Sequence, residues 1–224
     1  MESNKKYEIM AFEGRIKALK SFGDVKEGEV GGFIDTESNL SHEGDCWVYD
    51  NAQVSDGARL TDNATARDNC RIDGQAWIWG NAKISGDAVV DDYAQISGYA
   101  KIYESAKVIG DAKITDHAMV YEFAQVKGDA HIGESAWIYG NAMVSGYAKV
   151  TGKAFVFGNA VVKKKMHVGD EESLGTKQVP TEASVLGFLK GLHEDVSEIK
   201  LKNGRVYRKE TVTTEEWHMI PTDK

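Results

Sequence analysis

Ala76-Trp77-Ile78-Trp79-Gly80-Asn81, Ala82-Lys83-Ile84-Ser85-Gly86-Asp87 and Ala88-Val89-Val90-Asp91-Asp92-Tyr93 are three consecutive hexads with one plan. A small residue comes first, an aliphatic one stands two positions on, and Gly or an acid stands two positions after that. Stepping by six in both directions, the small position runs from Cys46 to Ala160 through twenty hexads without an insertion or deletion. It is Ala everywhere except Cys46 and Cys70, where Cys acts as a small apolar residue. The aliphatic position runs Val48, Val54, Leu60, Ala66, Ile72 and on to Val162. Small-x-aliphatic is a period of two, so both residues point to the same side of a short strand. The Gly or acid that follows, from Asp50 to Gly158, is turn chemistry. A short strand and a corner, repeated identically, must coil and stack each strand on its equivalent one turn later. The strand spacing then sets a rise of ~4.8 Å per coil.

The hexad Val144-Ser145-Gly146-Tyr147-Ala148-Lys149 resembles the hexapeptide repeat of left-handed parallel β-helix proteins, in which three hexads close one triangular coil. The resemblance implies an all-β chain whose left-handed parallel β-helix has about seven triangular coils over residues 46–168. It also implies a homo-oligomer, with a parallel trimer ahead of a dimer. The lead-in Gly31-Gly32-Phe33-Ile34-Asp35, followed by Leu40 to Asp50, is similar to YdcK-type bacterial proteins and their phage-encoded relatives. Members of that group are often labelled acetyltransferases by analogy of fold, which does not by itself carry an activity.

The ends differ from the repeat. Residues 1–45 hold short apolar runs, Tyr7–Phe12 and Arg15–Leu19, expected to form a β cap over the first coil. Such a cap is required because an open coil presents unpaired backbone groups. Residues 169–224 are expected to be a linker followed by a small α+β module. In it Thr181 caps a short helix through Leu192, and Asn203-Gly204 turns a hairpin between Ile199–Lys202 and Arg205–Arg208.

The net charge of −8 is spread as −4 over residues 1–45, −4 over 46–162 and zero over the remainder. No segment has the basic excess of a general nucleic-acid binder. No stretch has the length of apolar sequence that spans a bilayer, and Met1–Lys6 leads into no apolar signal region, so a cytoplasmic protein is expected, in a host cytoplasm if phage-encoded.

Three hexads per coil stack outward residues every 18 positions. One face then carries Tyr103, Met119, Tyr121, Trp137, Tyr139, Phe155 and Phe157, a contiguous apolar strip expected to be an interface. The other two faces are far more polar. The expected function is non-enzymatic binding through this strip or a subunit boundary. The target is a host protein, such as a component of a defence system that the chain inhibits, or a small anionic ligand stacked beside Lys83, Lys101 or Arg67. No cofactor or metal is expected. The hexapeptide resemblance implies one enzymatic alternative, an acyltransferase using acetyl-CoA with His117 or His131 as base. His131 lies between Lys113 and Lys149 one coil away on either side, which disfavours its protonation. A structural or virion spacer is the remaining alternative.

Overall fold

A computed structural model describes residues 5–11, 13–169, 172–175, 198–200, 206–209 and 217–220. The hexads form three parallel sheets, one per side of a triangular β-solenoid. The register is constant: Lys83 pairs with Lys101, Val89 with Lys107 and Gln95 with Lys113, each partner 18 residues on. Each coil donates forward, as in Trp77 N–H to Ala94 O and Lys83 N–H to Ala100 O, both 2.9 Å. The inward Ala and β-branched residues are buried from Cys46 to Val162. The two cysteines lie in that core, where burial raises both thiols, Cys70 to about 12. That is the setting of an inert structural cysteine.

The corners explain the Gly-or-acid position. Every sixth residue from Gly44 to Lys164 has a positive φ, between 52° and 85°. For a residue with a Cβ this region costs about 1–2 kcal/mol. At most acidic corners the side chain offsets part of that cost by accepting from the amide one coil later. Gly80 N–H donates to Asp62 Oδ2 (2.9 Å), Gly86 N–H to Asp68 Oδ2 (2.8 Å), and Glu122 N–H to Glu104 Oε2 (2.8 Å). Beside them Asn63 donates to Asn81 and Asn69 to Asp87, a side-chain ladder along the edge.

The solenoid has eight coils, one more than the hexads alone imply, because it begins before them and ends after them. Ile34 pairs with Val54 and Leu40 bridges to Leu60, so the first coil spans 20 residues, with two extra between Leu40 and Val48. At the other end Phe155, Val156 and Phe157 pair with Ser173, Leu174 and Gly175.

The cap is a meander of β1 (Tyr7–Ile9), β2 (Arg15–Ala18) and β3 (Val30–Ile34), antiparallel until β3 joins the coil strand Gln53–Val54 in parallel. Because every coil donates forward, the carbonyls of the first full coil have no preceding coil to pair with. Backbone donors meet three: Phe33, Asp35 and Ser41 reach Ala52, Val54 and Leu60. Side chains meet five. Lys6 Nζ donates to Gly44 O (3.1 Å) and Cys46 O (2.9 Å), Arg15 Nη1 to Asp50 O (2.8 Å), and Asn39 Nδ2 to Asp56 O (3.0 Å) and Ala58 O (2.8 Å). Lys6 is 1% exposed, and burial lowers its pKa. Gly31 and Gly32 are needed for close approach: a Cβ on either would lie 2.5 Å from a carbonyl oxygen, Val48 O or Ala52 O.

Residues 178–224 form a separate unit. Its described strands, Glu198–Lys200, Val206–Lys209 and Trp217–Ile220, make an antiparallel sheet. Lys200 pairs with Val206, whereas a two-residue turn at Asn203-Gly204 would pair Lys200 with Tyr207. The two strands pair antiparallel in a register one residue off that of a two-residue turn, and the expected Asn203-Gly204 turn lies outside the described residues. The helix expected over 181–192 lies outside the described residues.

Candidate functional site

The strip picked out by the 18-residue spacing is one continuous side of the solenoid. Lys101 pairs with Met119, Met119 with Trp137, and Trp137 with Phe155. Just beyond each strand's aliphatic residue, the next outward position builds a column of rings. Tyr103 stacks on Tyr121 at 4.9 Å and 3°, Tyr121 on Tyr139 at 5.1 Å and 8°, and Tyr139 on Phe157 at 5.4 Å and 13°. Trp137 meets Phe155 edge-on at 5.0 Å. Parallel strands place equivalent side chains one rise apart, which is also a stacking distance for offset rings.

All seven expected residues therefore lie together, but less open than an outward position suggests. Tyr121 is 3% exposed and Met119 8%; the other five are half-buried. Burial raises the Tyr103, Tyr121 and Tyr139 hydroxyls, Tyr139 to about 12. Both ring faces of Tyr121 and of Tyr139 are already occupied by neighbouring rings. A planar ligand therefore finds no free face on either of them.

Below Tyr103 the same column continues downward through Ser85, Arg67 and Tyr49. The Arg67 guanidinium lies 3.5 Å from the Tyr49 ring centroid and also meets Asp24 Oδ2 at 3.5 Å. Two side-chain oxygens on this side, Thr65 Oγ1 and the Tyr103 hydroxyl, are buried with no hydrogen-bond partner among the described residues.

The two candidate bases sit apart in role. His117 is an exposed corner residue stacked on Tyr99 at 5.0 Å and 10°. His131 is on a flat side, in register with Lys113 and Lys149. Its pKa is lowered, first by burial, then by Lys149, with Asp116 opposing. Its Nε2 lies 3.5 Å from Thr115 Oγ1, which donates to Asp116 Oδ2 at 2.8 Å. His167 repeats this two coils on, with Nε2 3.0 Å from Thr151 Oγ1. Trp77 Nε1 likewise donates to Thr61 Oγ1 at 3.3 Å. Each pair joins residues 16 apart, the diagonal neighbours of adjacent coils. The pattern Thr115/His131/Gly133 and Thr151/His167/Gly169 was readable in the sequence only with that diagonal in hand.

Four further aromatic residues lie off the strip: Tyr93, Tyr99, Phe123 and Tyr147 follow a Gly or acidic corner and are each more than half exposed. They are distributed over all three edges. Among the described residues no three His, Cys, Asp or Glu side chains converge as metal ligands, and no helix is long and apolar enough to cross a membrane.

Comparison with known proteins agrees with this architecture. Residues 136–152 match the YdcK β-solenoid repeat. A 50-residue stretch is 46% identical to a protein of Escherichia coli (strain K12) named "Uncharacterized acetyltransferase YdcK". That stretch is 22% of this chain and 15% of the relative's length. The chain is thus a YdcK-like β-solenoid in its repeat, and the likeness covers a small part of the relative.

Proposed function

We propose that this protein works by binding, with the side built from Tyr103, Met119, Tyr121, Trp137, Tyr139, Phe155 and Phe157 as its contact surface. The observation that carries the reading is the ring column Tyr103-Tyr121-Tyr139-Phe157. It extends over four successive coils on one side of the solenoid, whereas the other sides hold a single Trp77–Trp79 pair and charged pairs such as Arg71–Asp73. Aromatic residues and Met are what interfaces enrich, and a regular scaffold presents them without reorganisation on binding. The partner is a further copy of the chain, with a trimer favoured over a dimer, or a host protein. The similarity of the lead-in segment to phage-encoded relatives motivates the second, including inhibition of a defence component. Native mass spectrometry of protein purified gently from a bacterial host tests this. An oligomer, or a complex carrying a host protein, is the expected result. A bare monomer that captures nothing overturns it.

A second reading, acyl transfer, is favoured by the relative's name and by His131, whose pKa burial lowers and which lies beside Thr115. Lys113 and Lys149, in register with it, would supply positive charge for the phosphates of acetyl-CoA. Transfer from acetyl-CoA that is lost in His131→Ala would establish this reading in place of the first.

A further inference from the structure

The planar column on the aromatic side has one missing member. Reading along it, Tyr49, the Arg67 guanidinium, Tyr103, Tyr121, Tyr139 and Phe157 are flat groups, and Ser85 alone is not. Arg67 is covered by Tyr49 on one face. Tyr103 is covered by Tyr121 on one face. The levels of Arg67 and Tyr103 in the column lie two coils apart, roughly 9.6 Å at the strand spacing, with Ser85 between them. One more planar group at the level of Ser85 would sit at the ring spacing found higher in the column, 4.9–5.1 Å.

Three cations lie near this level, with the Asp24 carboxylate against Arg67 and Glu104 next to Tyr103. Lys83 and Lys101 are directly paired across adjacent strands on the same side, with Arg67 one coil below. Lys101 is the diagonal neighbour of Ser85, as His131 is of Thr115. Arg67 keeps 41% of its side chain exposed and Lys83 is exposed, so these two cations are reachable, while Lys101 is half-buried. A third observation is independent of charge and stacking. Two of the four buried polar side-chain atoms without a partner among the described residues are Thr65 Oγ1 and the Tyr103 hydroxyl, which belong to the coils just below and above Ser85.

We infer that the gap at Ser85 is a nucleotide site: a heteroaromatic base completes the column between Arg67 and Tyr103, its phosphate meets Lys83, Lys101 and Arg67, and Thr65 and Tyr103 offer it hydrogen bonds. This goes beyond the binding reading, which concerns a protein partner on the strip above Ser85. Stacking on Arg and Tyr suits any base, because every base has a π face.

Saturation-transfer NMR and calorimetry with adenosine 5′-monophosphate test the site, with adenosine and inorganic phosphate as half-probes. The monophosphate is expected to bind more tightly than either half. Ser85→Tyr fills the gap with the ring that the column lacks. It is expected to raise the melting temperature, which certifies its fold, and to weaken binding roughly tenfold or more. Arg67→Gln is expected to weaken binding without filling the gap. Equal affinity in wild type and Ser85→Tyr would place the ligand elsewhere and overturn the site while leaving the binding reading intact. No binding of the monophosphate, with an oligomer that dissociates on Ser85→Tyr, would overturn it in favour of a partner copy's side chain in the gap. No binding with an unchanged oligomer would overturn it outright.

Discussion

The body of the solenoid and its cap solve the same problem in opposite ways. In the body, the strand amides meet carbonyls one coil on, and each hexad repeats the plan of its neighbours. In the cap, the first row of carbonyls is met one by one, by Lys6, Arg15, Asn39 and a few backbone amides. Repetition spreads stability over many small equal contributions, as in other solenoids. A cap concentrates it in residues that each act once.

This contrast predicts unequal sensitivity. The largest effect is expected at Lys6. Lys6→Ala leaves the buried Cys46 O and the more open Gly44 O without this donor, about 1–3 kcal/mol by the usual penalty for one buried group. Lys6→Met keeps the stem and is expected to lose nearly as much, because the donors and not the packing are at issue. Urea denaturation reads both, and a loss under about 1 kcal/mol would show that water reaches these carbonyls.

A corner in the body is expected to matter less. Glu104→Ala keeps a Cβ at positive φ and removes the acceptor for the Glu122 amide, for roughly 1 kcal/mol. Glu104→Gly removes the same acceptor but relieves the backbone, so it is expected to stay close to wild type. If the two variants fall together, the carboxylate and not the φ angle is what this corner selects.

The smallest effect is a pH slope. His131 has its pKa lowered, by burial first and then by Lys149. The folded chain thus binds this proton less readily than the unfolded chain. As pH falls through the ordinary His value of about 6.5, the unfolded state takes up more protons and stability declines. His131→Gln is expected to flatten the change in melting temperature between about pH 7.5 and pH 5. His42, lowered by burial as well, keeps a residual slope in that variant.

Legibility follows the same division. The hexads revealed the inward residues, the corners and the stacking period of 18, because each was stated many times over. The same period brought Tyr103 to Phe157 onto one side. It did not reveal that their rings close on one another, since outward direction along a strand is set by sequence while exposure is set by what lies one coil away. The diagonal pairs at 16, such as Thr115 with His131, were missed for a related reason: they depend on how adjacent coils are offset. Arg67 over Tyr49 and the gap at Ser85 belong to the same class.

The sequence by itself determined the coil: alternation fixes which side chains face in, and Gly or an acid every sixth residue fixes where the chain bends. Only the tertiary structure decided where the coil starts and how its open end is closed. Lys6 and Cys46 O are 40 residues apart, and nothing local in either marks them as partners. Their pairing arises because a parallel stack leaves one row of carbonyls without a neighbour, and a buried carbonyl must be met by whatever donor the fold brings to it.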